Sequence, residues 1–254
     1  MGVRPTDEPG LNLPSPPADA RLVSVNDLVL VQGMDDTKRA LQRWNAEPLG
    51  VLRPWFLLSV AIALGLLLAV YVVATSTTPD ETRYLIPGYN VDATVADYLH
   101  VLLRNSLVLA LHAMACVAGF MAGSSLPLSA SHRSGISRWV HEKAGPLAIG
   151  FVVCATAFSL CTQAYVIGGG AASIAHQVGT TPGLLLFALT PHALPELIAL
   201  FMPLAAWIVA SRNDDWQDLL AATVVTVALA VPVLLASAAV ETWVSPQLLL
   251  VIGS

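Results

Sequence analysis

Residues 55–75 read WFLLSVAIALGLLLAVYVVAT, an apolar run with no charged side chain. About 20 mostly apolar residues are what a helix needs to cross the hydrocarbon core of a bilayer. The run is therefore expected to be a transmembrane helix, with Trp55 and Tyr71 placed as interfacial aromatics. The rest of the chain agrees with this class. It is 56% hydrophobic and 11% charged, where an average globular chain is about 25% charged. Its mean hydropathy is +0.69. One core of a 254-residue soluble domain could not hide that much apolar surface, and lipid can.

Outward from this run, four further spans are expected, at 105–121, 146–167, 192–210 and 219–240. The fold class that follows is an all-α helical membrane bundle. The fourth span is the unusual one. Residues 183–210 are uniformly apolar but carry Pro191, Pro195 and Pro203, and each proline removes a backbone donor and crowds the preceding turn. A re-entrant segment at 184–189 and an interruption between Leu189 and Glu196 are expected. The Gly-rich stretch GGGAASIAHQVGTTPG before it is expected to be mobile or partly re-entrant.

Residues 1–33 read as a disordered or irregular tail, rich in proline at its start. Residues 34–54, beginning MDDTKRALQRWNAE, read as an amphipathic segment in which Ala40, Leu41 and Trp44 share a face. A basic start followed closely by an apolar stretch, the mark of a signal peptide, is not seen. The run at Trp55 is thus expected to be retained and to act as the targeting signal.

Basic residues orient the bundle. Arg4, Arg21, Lys38, Arg39, Arg43 and Arg53 precede the first span, Arg133, Arg138 and Lys143 lie between the second and third, and Arg212 lies between the fourth and fifth. Only Arg83 and Arg104 fall on the other side. The positive-inside rule then puts the N-terminus in the cytoplasm and the C-terminus outside.

With that topology, several polar residues fall at a similar depth: Asn105, His112, Gln163, His192, Glu196 and Glu241. Ionisable groups inside a membrane cost free energy and face the bundle interior, where they pair. His192 and Glu196 stand at i and i+4 on one helix face. Asn105, His192, Glu196 and Glu241 are the candidate intramembrane polar cluster. Two readings stand: a site for an ion, a proton or a partner peptide, or a clasp that ties a broken helix to its neighbours. Gly119 and Gly123 form a GxxxG pair suited to close helix packing within the chain.

Catalytic signatures are sparse. HExxH and the P-loop are missing, and PHALPE does not replace the former. Cys116, Cys154 and Cys161 lie in apolar runs, outside any CxxC pair. No catalytic residue, cofactor or metal ligand is proposed, and a net charge of −5 argues against nucleic acid as a partner.

The runs RNSLVLALHAMACVAGFMAG (104–123), LTPHALPELIALF (189–201) and AAVETWVSP (238–246) together resemble the stage II sporulation protein M family. The resemblance spans roughly residues 95–247 and rests on Asn105, Gly119, Gly123, Pro191, His192, Glu196, Glu241 and Pro246. Ala193 stands where the family pattern has glycine, and Pro195 is an addition. The resemblance implies a multi-pass protein of a bacterial cell membrane that acts as a non-enzymatic scaffold, recruiting partners that remodel the cell envelope. The alternative it implies is an accessory or immunity component of a peptide-export system working with an ATPase. The sporulation role itself does not carry over automatically.

The orientation has a direct check. Alkaline phosphatase fused at the C-terminus should be active, and the same enzyme inserted in the 124–145 loop should be inactive; the opposite pattern would reverse the topology.

Overall fold

The computed structural model describes the backbone of residues 25–125 and 135–253, with side chains from 33 to 123, at 147, and from 149 to 253. Most of the tail expected to be disordered, residues 1–24, lies outside the described residues, as do Arg133 and the side chains of Arg138 and Lys143. Residues 25–33 are not irregular: they open the first helix. Among the described residues there are helices and no strands, and five helices are long and apolar enough to cross a membrane.

In chain order, α1 is Val25–Ala46, α2 Pro48–Ser76, α3 Val95–Phe120, α4 Gly135–Val178, α5 Pro182–Asn213, α6 Leu219–Ala239 and α7 Ser245–Ile252. Two π-turns, Met121–Ser125 and Val240–Val244, and one 3₁₀ turn, Trp216–Asp218, join them. The bundle has two ends. One holds α1 and Trp216; the other holds the α2–α3 loop and Tyr84.

Local chemistry explains where the helices start, and why several exceed the apolar runs. Pro48 begins α2, at a position where its missing N–H would have had no partner. The segment expected as one amphipathic unit over 34–54 is thus split at Glu47, and residues 48–54 belong to the first span. Thr94 and Asp97 form a reciprocal capping box on α3. The second span therefore starts at Val95, and Asn105 lies about ten residues into the helix, roughly 15 Å along its axis, rather than at its start. Thr181 caps α5, its hydroxyl accepting from Leu184 N at 3.3 Å.

Two expectations are overturned. Helix α5 is continuous from Pro182 to Asn213, with Pro191, Pro195 and Pro203 all inside it. There is no re-entrant piece at 184–189 and no break at 189–196. Pro191 and Pro195 are four residues apart, so their missing donors fall on one face. The carbonyls of Phe187, Pro191 and Ala199 lose their intrahelical donors to these prolines, and the enclosing helices α2, α3 and α6 are the setting in which membrane helices tolerate that loss. Most of the Gly-rich stretch, residues 168–178, is also helix, as the end of α4, and Gly179 turns the chain at φ +78°. Gly168 lets Val73 of α2 pack against the α4 backbone: a Cβ there would lie 2.6 Å from Val73 Cβ. The last span likewise continues past residue 240, through a π-turn into α7.

Helix α5 is the centre. It packs on α2, α3 and α6, and the core forms where Leu66 and Val70 of α2, Cys116 and Phe120 of α3, Phe201, Leu204 and Trp207 of α5, and Leu219 of α6 meet. Cys116 Sγ donates to Pro203 O at 3.1 Å across the α3–α5 seam. Both glycines of the GxxxG pair receive an indole of this same chain. A Cβ on Gly119 would sit 2.6 Å from Trp207 Nε1, and one on Gly123 would overlap the Trp216 ring. At that end α1 is latched down. Arg43 Nη2 contacts both carboxylate oxygens of Asp218, at 2.7 and 2.9 Å. The Trp44 ring meets Trp55 edge-on at 5.2 Å, and Trp55 is buried in the bundle.

Gly119→Ala should destabilise the folded chain in detergent by about 1–3 kcal/mol, the usual cost of overpacking. Gly65→Ala, where nothing lies within 4 Å of the added methyl, should leave the thermal midpoint unchanged. Equal midpoints for the two variants would remove the close packing as an explanation.

Candidate functional site

At the Tyr84 end, Pro246 sets the geometry. It has no N–H to continue the helix ladder, and its ring crowds the preceding turn. The chain responds with the π-turn Val240–Val244, closed by Ser245 N donating to Val240 O. A π-turn inserts one extra residue in the helical phase and often marks a functional position. Here it brings Glu241, Thr242 and Ser245 against α5. Thr242 is anchored through its hydroxyl to Ala238 O at 2.8 Å, and Trp243 stacks on Tyr98 of α3 at 5.4 Å.

Ser245 Oγ and His192 Nδ1 are 2.7 Å apart in a buried hydrogen bond. His192 is only 7% exposed. One turn further along α5, Glu196 has the Asn105 side chain, Glu241 and Arg104 as its electrostatic neighbours. Arg104 also acts on Glu241. Asn105 Nδ2 and Glu196 Oε2 are nevertheless buried without a hydrogen-bond partner, as is His112 Nδ1 deeper on α3.

The predicted four thus gather at one end, divided into two units. Asn105 and Glu196 face each other across the α3–α5 seam. His192 turns instead to Ser245, a residue outside the predicted set. Glu241 stands beside both units. The signal for Ser245 was its place directly before a helix-starting proline; what hid it was the π-turn that swings it inward. The other polar residues lie elsewhere. Gln163 bonds Ser159 on its own helix at 3.0 Å. His112 sits edge-on to Phe201 at 5.5 Å. His100 is a neighbour of Asp97, and His176 is exposed in the last turn of α4. The side chains of His132 and His141 lie outside the described residues.

The α2–α3 loop, residues 77–94, covers the cluster as an ordered cap. Asp80 N donates to Ser173 Oγ at 2.9 Å. Tyr84 N donates to Gln177 Oε1 at 2.7 Å, and Gln177 Nε2 donates back to Tyr84 O at 3.0 Å. Asn90 Nδ2 donates to Tyr84 O, and Asn90 Oδ1 accepts from Ile86 N, both at 2.8 Å. Two donors from Thr82 stabilise the Asp80 carboxylate and hold its pKa below the usual value. Gly88, at φ +79°, lies so close to α7 that a Cβ there would sit 2.8 Å from Pro246 Cγ. Beneath this cap is a cavity of about 210 Å³ whose polar lining includes Asp97, His192, Glu241 and Ser245.

No family model, curated protein or solved structure matches this chain. Among the described residues, no three His, Cys, Asp or Glu side chains converge as metal ligands. Chemically, the cavity wall offers the carboxylates of Asp97 and Glu241 and the His192 ring to a hydrogen-bond donor.

The His192–Ser245 pair can be tested by a double-mutant cycle. His192→Ala and Ser245→Ala should each cost about 1–3 kcal/mol, by leaving a buried polar group unpaired. The double variant should cost less than the sum of the two. Strict additivity in thermal unfolding would show that the bond is not formed.

Proposed function

We propose that this chain is a non-enzymatic assembly component of a bacterial membrane, whose helix α4 receives a transmembrane helix of an envelope protein. The observation that carries this is the bareness of α4. Only 6% of its spanning window is buried, against 61% for α5. Lipid alone could cover such a helix, so the pattern on it is what matters. Gly150, Cys154, Ala157 and Cys161 are all exposed and recur at i, i+4, i+7 and i+11, which makes a shallow track along one side. Phe151, Phe158 and Tyr165 recur every seven residues beside it and are 73, 75 and 72% exposed. A small-residue track beside an aromatic ridge suits close helix–helix packing, which in lipid depends on van der Waals fit.

The reading follows the expectation from the stage II sporulation protein M resemblance: a scaffold that recruits envelope-remodelling partners. It also carries the inside position of the N-terminus. Arg43 and Arg212 lie at the Trp216 end of the bundle, and Arg83 and Arg104 toward the Tyr84 end. A second reading, an accessory or immunity component of an export system, is favoured by one observation: the unpaired Asn105 and Glu196 groups inside the bundle, since transporters build polar sites near the membrane midplane.

Ala157→Leu fills the α4 track at an exposed position. It should leave the thermal midpoint of the isolated chain unchanged and abolish co-purification of the partner from mild detergent. A photo-reactive residue in place of Phe158 should give one discrete protein adduct in native membranes, absent in the Ala157→Leu background. Adducts to lipid alone would overturn the proposal.

A further inference from the structure

The cavity under the 77–94 loop has walls that fit one kind of occupant. Most of its lining is apolar, with Ile86 over it and Leu185 and Leu189 of α5 behind. Its volume of about 210 Å³ is below the roughly 300 Å³ at which drug-sized pockets begin. The occupant is therefore small, and most of its surface is hydrocarbon.

The polar lining selects the other part of that occupant. Asp97 and Glu241 are both in the wall, and no Lys or Arg is. Arg104 acts on Glu241 from an exposed position outside the lining, and His100 flanks Asp97 in the same way. Asp97 Oδ2 is engaged by Thr94, which leaves its second oxygen for an occupant. His192 lines the cavity while more than nine-tenths buried. Its Nδ1 is held by Ser245. The other ring nitrogen has no protein partner, and in the tautomer with the proton on Nδ1 it is an acceptor. The wall of this small apolar cavity thus carries two carboxylates, Asp97 and Glu241, and the His192 ring, all of them able to accept a hydrogen bond.

We propose that this cavity binds a primary ammonium group carried on a short apolar chain. An R–NH₃⁺ head has the positive charge and the N–H donors that a wall with two carboxylates and no Lys or Arg accepts, and its body fits the leucine and isoleucine walls. A quaternary ammonium has the charge without the donors. The same chemistry is offered by a free alkylamine or by the ethanolamine head of a membrane lipid, and the test separates the two.

The purified full chain in detergent is titrated with n-butylammonium and with butyltrimethylammonium, following thermal midpoint and heat of binding. It is also reconstituted in nanodiscs of phosphatidylethanolamine or phosphatidylcholine, and retained lipid is read by native mass spectrometry. Saturable n-butylammonium binding, at least about tenfold weaker in Glu241→Gln as expected for a lost hydrogen bond to a charged group, identifies a free amine. Selective retention of phosphatidylethanolamine, lost in the same variant, identifies the lipid head. Leu189→Phe, which fills the chamber without touching a polar group, should block either one and keeps the test valid if Glu241→Gln does not fold. The proposal is overturned if neither probe binds, if the quaternary ammonium binds equally, or if Leu189→Phe leaves binding intact.

Discussion

Inside a bilayer no water is available to hydrogen-bond a stray backbone group, so every N–H and C=O must be satisfied within the protein. In this chain the constraint is hardest on α5, where three prolines each delete a donor. The helix stays whole as the most buried of the five spans, enclosed by α2, α3 and α6. Side chains also tie its backbone to itself and to a neighbour: Thr190 reaches Leu186 O and Cys116 reaches Pro203 O. The arrangement of the other helices follows from this. Gly119 has no side chain so that Trp207 of α5 can pack on α3, and the polar residues of α3 and α5 meet along the same seam.

The fold class was legible because it depends on a bulk quantity. Runs of apolar residues long enough to cross a membrane are a strong signal, and each of the five spans contains one. The ends were less legible, because polar residues set them. The capping box of Thr94 and Asp97 extends α3 well before its apolar part. The glycines of α4 are read as flexible in isolation, yet one of them is held helical by close contact with α2. The proline break failed for a related reason. Proline's cost is a local property, whereas its tolerance is set by the helices around it, and these are not adjacent in sequence.

The polar cluster shows the same division. Depth along each helix could be counted from the sequence, and that brought Asn105, Glu196 and Glu241 to one end of the bundle. Azimuth could not be counted past a π-turn. The extra residue between Val240 and Val244 changes which side chains face α5. Ser245 therefore takes the His192 bond, and Glu196 is left to Asn105 and the Glu241–Arg104 neighbourhood. The i, i+4 spacing of His192 and Glu196 was read correctly as a shared face. It did not make them partners, because different helices answer each of them.

The loop over residues 77–94 joins the two faces that matter most. Its Asp80 and Tyr84 backbone groups are tied to Ser173 and Gln177 on α4, while its Gly88 rests on Pro246 of α7. The helix with the barest membrane surface therefore holds one side of the cap, and the residue that forces the π-turn supports the other. A force that shifts the end of α4 must either break those bonds or move the roof of the cavity where Glu241 and His192 stand. Coupling between two sites needs differential contacts in a shared element, and this loop is the segment that touches both α4 and α7. The demand is reciprocal: an occupant that presses on Ile86 and Pro87 loads the same bonds to Ser173 and Gln177. A short stretch with no regular secondary structure thus has more influence on this end of the molecule than its size suggests, because its hydrogen bonds run to α4 and its packing to α7.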